Sequence, residues 1–577
     1  MLHIIQVTAE CQPFTYVGGL AQVPYQLAKA YLKLNKEIKP YIIMPRSIAN
    51  FQKNIPDDIY NFQASHDAKS EGWNVTKTNY EGIEYYFICG GEYQDLEVYP
   101  SGIANKLKAL EFNKYLLEFL EFFLYRKEFL DTPVVIHAHD WQSGLIIPLV
   151  KLNPKIKPTP LCAYTMHNYF RTNIQPDLFF DYFDYDWLDR YKRHEGFLNS
   201  HPNIYLDRTA LYFADVCNTV SADYANSLIQ NYSELRNPTL ELDKPMLGIL
   251  NGVNPKEHSP KAVLKLQNIM EIPKSGINDL ERISNLESSK NKVQLKKDAK
   301  SLLYTLLKKW KNKEVLPKLR VGNISEIVNN LRQKDLNWNE EDTLCVFIGR
   351  IVEQKGFDIL VRSIPKVTSE NPRARFIFMG SGGYDRDEKN RLLYGDYPYN
   401  TNTVFLEMFS PEIRDLLYIA ADIFVVPSRY EPCGLTPFEA MGTGGTPCIV
   451  NPVGGLKEIV VDNEMGVHIS PKFYDDGVVK NYPGSPEESL AYAINKLIQL
   501  ISDRKVYSSM ITNCLKRVKE PQFSWEEVAK KYLLEFEIGM QKYMQYIFNY
   551  EDIKQEKTIW INKLKYNGIL GPTQIKV

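Results

Sequence analysis

"TLCVFIGRIVEQKGFDILVRSIPKVT", residues 343–368, decides the fold. Residues 343–350 are apolar almost throughout, the pattern of a strand buried on both faces rather than one with a wet side. "GFDILVRSIPKVT" then spaces its apolar residues as a helix does, and "RFIFMGSG" (375–382) returns to strand. "TVFLEMF", "DIFVVPSR" (422–429) and "TPCIVNPVGG" (446–455) continue the alternation. Buried strands separated by helices predict a parallel sheet covered on both faces, with a ligand where strand C-termini meet helix N-termini.

The first half follows the same grammar. "LHIIQVTA" (2–9), "IKPYIIMP" (38–45), "VVIHAH" (134–139), "LCAYTMH" (161–167) and "ADVCNTVS" (214–221) read as strands, and "GLAQVPYQLAKAYLKL" as a helix after the first. Two doubly wound αβα halves are therefore predicted, as the length of 577 residues also requires. Residues 260–340 carry little strand signal, and Lys290 to Arg320 holds eleven Lys/Arg against two acids. Such a run could form a basic surface for an anionic polymer. The solvated face of an inserted helix is the simpler expectation. "SWEEVAKKYLLEFEIGMQKYMQYIFNY" (524–550) predicts a long amphipathic helix, followed by an uninformative tail.

Composition narrows the class. A hydrophobic content of 44%, a charged content of 24% and a net charge of −1 describe a globular protein, with nothing to draw nucleic acid or anionic membrane. The eight cysteines show neither CxxC pairs nor metal-ligand spacing, and read as buried thiols in a reducing compartment. No run approaches the ~20 apolar residues of a membrane span, and the first residues lack a signal peptide's pattern. A cytoplasmic location is expected.

Polar residues cluster where strands end: Glu10, His137 to Trp141 with Asp140 among them, His167-Asn168, Asn251-Gly252, Arg350 with Lys355, and Glu431-Pro-Cys-Gly434. Any one of these could simply cap the next helix. Their succession points instead to a ligand-binding rim. Arg350 and Lys355 suit an anion such as a diphosphate, although an ordinary surface ion pair with Glu353 would use the same residues. In "PSRYEPCGLTPFEAM" (427–441) a helix begins near Gly434, and backbone amides at its start can donate to phosphate. Glu431 and Glu439 can bind sugar or ribose hydroxyls. Val17-Gly18-Gly19-Leu20 and Gly454-Gly455 are glycine pairs in corresponding strand-to-helix loops. No metal is called for, since His137 and His139 lack the helical spacing of a zinc pair.

In order along the chain, "TAECQPFTYVGGLAQV", "VIHAHDWQSGL", "TMHN", "FADVCNTVSADYA", "GILNGVN", "GRIVEQKG", "PSRYEPCGL" and "VGGLKE" resemble the bacterial and plant glycogen/starch synthases. These are retaining glycosyltransferases of family 5 with the GT-B fold. The resemblance implies an N-terminal acceptor-side domain (1–245) and a nucleotide-sugar domain (246–522) with the lysine-rich insertion. It also implies a closing segment (523–577) that packs back on the first domain. A sugar nucleotide would lie in the interdomain cleft, and the substrates would be ADP- or UDP-glucose and an α-1,4-glucan, with no cofactor.

The resemblance assigns roles by position. Arg350 and Lys355 would stabilise the departing diphosphate. Glu431 and the amides of Cys433, Gly434 and Leu435 would contact the sugar and phosphate. His167 would face the sugar, and Asp140, Asn168 and Asn251 further hydroxyls or the acceptor. Glu10 would line the site, and the Gly18-Gly19 loop would approach the diphosphate.

The chain departs from the family in that loop and at two points beyond it. Tyr16 stands where the family has lysine, Gln22 and Asn254 where it has aspartate, and Arg171 follows an altered Tyr169-Phe170 segment. Arg171 could restore the missing charge. Glu439 completes a spacing more typical of family 4 glycosyltransferases. A family 4-like enzyme with a non-glucan acceptor and a non-catalytic glucan-binding relative are therefore the alternatives. A phosphorylase would need a lysine-anchored pyridoxal phosphate site, and no motif supports one.

Overall fold

The computed structural model describes residues 1–47, 59–60, 73–92, 96–130, 132–183, 203–236, 245–254, 291–312, 331, 336–380, 402–408, 410–469 and 485–549. The chain divides into two compact units, the first comprising 1–252 with 525–577 and the second 253–524. The tail after 549, the part of the lysine-rich region outside 291–312, 331 and 336–340, and the end of "RFIFMGSG" lie outside the described residues.

The first unit holds β1 (Leu2–Val7), β2 (Ile38–Pro45), β3 (Ile59–Tyr60), β4 (Asn74–Tyr80), β5 (Ile83–Cys89), β6 (Val134–His139), β7 (Leu161–Met166), β8 (Asn173–Ile174), β9 (Ile204–Tyr205), β10 (Val216–Thr219) and β11 (Leu247–Gly248). Its 9-stranded sheet runs β11-β10-β7-β6-β1-β2-β5-β4-β3, parallel except where β4 pairs antiparallel with β5 and β3. Strands β1, β6 and β7 are buried almost without interruption, as their unbroken apolar runs require.

The helix Trp525–Asn549 belongs to this unit. Trp525, Val528, Ala529, Tyr532, Phe536 and Met540 recur at three- and four-residue spacing and form one apolar cluster with Ile4, Leu27, Tyr31 and Leu161. Close approach explains Gly252 of the Asn-Gly-Val motif: a Cβ there would fall 2.7 Å from the Trp525 ring.

The second unit contains β12 (Thr343–Ile348), β13 (Ala374–Met379), β14 (Thr403–Leu406), β15 (Ile423–Val426), β16 (Cys448–Val450) and β17 (Gly466–His468). They form a 6-stranded sheet in the order β14-β13-β12-β15-β16-β17, with all neighbours parallel. This is the doubly wound dinucleotide-fold order, in which the winding reverses between the first and fourth strands. All eight cysteines are buried free thiols.

The lysine-rich run corrects one expectation. Lys292–Lys311 is a helix, but not one whose lysines all face water. Lys296 and Lys300 are buried with Leu303, Leu307 and Trp310. Lys296 donates to Gly444 O (2.7 Å) and Thr446 Oγ1 (2.8 Å), and Lys300 pairs with Asp422 at 2.5 Å. A buried lysine needs such partners to offset desolvation. They tie this helix to the core of the second unit.

Candidate active site

In a doubly wound sheet, loops leaving the two strands that flank the reversal part in opposite directions and leave a crevice at the strand C-termini. In the second unit those strands are β12 and β15. Arg350 and the short turn Glu353–Lys355 follow β12, and Ser428 to Gly434 follow β15. Lys355 Nζ lies 2.6 Å from Glu431 Oε2, to which Ser428 Oγ also donates at 3.0 Å. Arg350 is exposed and donates to Gln354 Oε1 at 3.3 Å. The ordinary pairing of Lys355 with Glu353 is therefore not what forms. The cation next to Glu353 is Arg429, 3.9 Å away.

Arg429 is the residue that sequence reasoning missed here. Its guanidinium grips Asp358 through two bonds of 2.8 Å and donates to Glu353 O, while its backbone amide donates to Gln354 O. A planar two-pronged contact fixes angle as well as distance, so the β12 and β15 loops are locked in register. Burial pushes the Asp358 carboxyl up, and the Arg429 bonds outweigh that and hold it below the usual range. Gly356 at φ +65° completes the lock, because a Cβ there would sit 2.0 Å from Pro427 O. Arg429 stands inside the "PSRYEP" stretch, which was the available signal.

Gly434 at φ +92° starts the buried helix Leu435–Gly444, which has no side-chain cap at its N-terminus. Cys433 is buried. Gly454-Gly455 has a packing reason of its own: Cβ atoms there would lie 1.9 Å from Glu431 O and 1.7 Å from Cys433 O. The pair lets its loop press against the Glu431–Cys433 turn. Glu439 accepts from Tyr418 Oη at 2.8 Å, whereas Glu431 is bonded to Lys355 and Ser428. The two carboxylates do not share a partner.

In the first unit the reversal falls at β1, between β6 and β2. Glu10, just beyond β1, is buried, and its carboxylate accepts from Val17 N (2.6 Å), Gly18 N (3.0 Å) and Tyr99 Oη (2.9 Å). Burial pushes its carboxyl up against the pull of those donors. Two amides of the loop expected to approach a diphosphate are thus given to Glu10, which shapes that loop. Tyr16 Oη accepts from Gln22 Nε2 at 3.0 Å, so two of the loop's departures from the family pattern bond to each other. Val17 and Gly19 are exposed at the tip.

Asp140, at φ +60°, is buried and accepts from the amides of His167 (2.6 Å) and Asn168 (3.2 Å). Desolvation and the charge of Asp207 push its carboxyl well up. It clamps the end of β7 through its Oδ1, which takes both amides. His167 is half-buried, and its Nε2 lies 3.0 Å from His139 Nδ1. Burial holds His167 neutral, with a pKa of about 3. Asn168 Oδ1 accepts from Tyr224 Oη at 3.5 Å. Asn251 is buried, and its Oδ1 has no hydrogen-bond partner among the described residues. Arg171, at φ +51°, pairs with Glu234 at 2.8 Å, the carboxylate that Tyr169 Oη also uses, so its guanidinium already has a partner.

Known proteins resemble this chain over most of its length. Residues 3–238 match the family model of the starch synthase catalytic domain, and residues 329–481 that of glycosyl transferases group 1. The glycogen synthase of Mycoplasma mobile is 26% identical over 541 residues, spanning 92% of this chain and 99% of that protein. The glycogen synthase of Clostridium novyi is 24% identical over 546 residues, with 92% and 98% covered. The catalytic domain of Starch Synthase IV from Arabidopsis thaliana, solved with ADP and acarbose, matches with a TM-score of 0.66 at 20% identity. That match covers 93% of this chain and 99% of that one.

Two Rossmann-like units, each with polar residues at the reversal of its sheet, are those of the GT-B fold, and the two family models make the chain a glycosyltransferase. Within that class the chain resembles the glycogen and starch synthases, to which residues 3–238 and the relatives named above point.

Proposed function

We propose that the protein transfers glucose from ADP- or UDP-glucose to the non-reducing end of an α-1,4-glucan, with retention of configuration. The observation that carries this reading is the Lys355–Glu431 contact at the reversal of the second sheet, with Arg350 on the same loop. Lysine and arginine there suit a diphosphate, and the uncapped helix start at Gly434 adds amide donors and partial positive charge.

No protein nucleophile takes part. The bond between the anomeric carbon and the diphosphate oxygen breaks, leaving an oxocarbenium-like sugar. The glucan hydroxyl attacks the same face, and its proton passes to the departing phosphate oxygen. The products are the elongated glucan and a nucleoside diphosphate. Most of the rate comes from positive charge already in place where the leaving group becomes more negative. His167 meets the transferred sugar as a neutral ring, so it contributes hydrogen bonds and not charge. The donor is a substrate, and no cofactor enters.

Labelled glucose supplied as the nucleotide sugar should enter glycogen in a form that an α-1,4-specific amylase releases. Label that stays out of glycogen with every donor would refute the reading. The neutral Tyr16–Gln22 pair favours a second reading, in which a family 4-like transferase serves a non-glucan acceptor.

A further inference from the structure

Gln6, in the middle of the first sheet, has no role in the scheme above, yet it begins a hydrogen-bonded chain that ends at His167. Gln6 is wholly buried on β1, and its Nε2 donates to Pro24 O at 2.7 Å. Its Oε1 lies 3.3 Å from His139 Nε2, and His139 Nδ1 lies 3.0 Å from His167 Nε2. His139 is also wholly buried, whereas His167 reaches the half-buried rim beyond β7.

The direction of every bond in this chain is determined. Pro24 O can only accept, so the Gln6 amide must turn its NH₂ toward it and its oxygen toward His139. The opposite orientation would set two oxygens 2.7 Å apart. An amide oxygen can only accept, so His139 carries its proton on Nε2. A neutral imidazole has one N–H, which leaves His139 Nδ1 as an acceptor. His167 must then donate from Nε2, and its Nδ1 is left as a lone pair. Desolvation lowers the pKa of both rings and so favours the neutral form, with one N–H each.

We propose that Gln6 and His139 are positioning residues that fix the tautomer of His167, so that its Nδ1 is always an acceptor. The inference rests on the reading that His167 meets the transferred sugar. It gives that contact a direction: a sugar hydroxyl donates to Nδ1. With the other tautomer, that nitrogen would present an N–H to the hydroxyl and the bond would have to reverse.

The test reads the tautomer directly, with neither donor nor acceptor present. In protein labelled with ¹⁵N-histidine, the ring nitrogens of His167, assigned by the loss of its signals in His167→Asn, should show a protonated Nε2 and a bare Nδ1. In Gln6→Leu the signals should move toward a mixture, and kcat should fall about tenfold, the worth of one ordinary hydrogen bond, while KM for glycogen stays within about twofold. Gln6→Glu should restore both readouts, since a buried neutral acid reproduces the acceptor and the donor of the amide.

A proton on Nδ1 of His167 in the unaltered protein overturns the proposal, and that measurement needs no variant to fold. A shifted tautomer with unchanged kcat also overturns it. A protein with His167 protonated on Nε2 but no transferase activity would refute glucosyl transfer and leave the relay standing.

Discussion

Lys355 Nζ lies 2.6 Å from Glu431 Oε2, joining the loop that leaves β12 to the loop that leaves β15. The contact spans the point where the winding of the second sheet reverses. A lysine held there by a single carboxylate remains part-exposed and keeps further donors for a diphosphate.

Replacing Lys355 with alanine should lower kcat by on the order of 10²–10³-fold, as removal of one preorganised donor to a developing oxyanion does. The β12 and β15 loops should stay in register, because Arg429 and Asp358 hold them independently. Circular dichroism and thermal unfolding would then match the parent protein. Full activity in Lys355→Ala would remove the diphosphate assignment.

Tyr16 and Gln22 should behave as one unit. Tyr16→Lys alone places an ammonium opposite a neutral amide, and Gln22→Asp alone places a carboxylate opposite a phenol. The double variant rebuilds a lysine–aspartate pair, so its effect on donor affinity should exceed the sum of the singles by about 0.5–2 kcal/mol. Additive effects in a double-mutant cycle would show that the 3.0 Å contact carries no energy.

Glu10 is predicted to shape its loop. Glu10→Gln keeps the volume but turns an amide NH₂ toward donors that need an acceptor. Hydrogen exchange at Val17 and Gly18 should accelerate by about tenfold or more, matching the loss of roughly 1–2 kcal/mol of charge-assisted bonding. Strand amides of β1 should be unaffected. Unchanged exchange at Val17 and Gly18 would mean that the loop is held by something else.

Lys296 gives a pH dependence with a defined sign. Burial lowers its pKa to about 7, against the attraction of Asp422. Between pH 7 and its unfolded value of about 10.4, the unfolded chain binds more proton than the folded one. Its contribution to stability therefore rises with pH across that window. The stability of the parent protein relative to Lys296→Met should rise by about 1 kcal/mol per unit from pH 7 to pH 9 in denaturant titrations. A flat difference would mean that the buried amine stays charged.

The fold was legible because buried parallel strands are apolar throughout, and "VVIHAH", "LCAYTM" and "TLCVFI" became β6, β7 and β12. The strand-end residues were legible as a group, because a doubly wound sheet leaves few other places for polar clusters. Their individual partners were not. Whether Lys355 meets Glu353 or Glu431 depends on a loop 76 residues further along the chain. Glu10 reads as a site carboxylate until the amides of Val17 and Gly18 turn toward it. Lys296 and Lys300 carry the same letter as the exposed lysines around them, and only the apolar spacing of Leu295, Ala299 and Leu303 hinted at the buried face. Gln6 gave no signal, since one polar residue in an apolar strand is as often a satisfied core amide.

The central claim is best tested by nucleoside diphosphate release from ADP-, UDP- and GDP-glucose, each with and without glycogen. Glycogen-dependent release from ADP- or UDP-glucose is the predicted result, and it would identify the base at the same time. No release from any donor, with glycogen present, would contradict glucosyl transfer and leave a glucan-binding role for the fold.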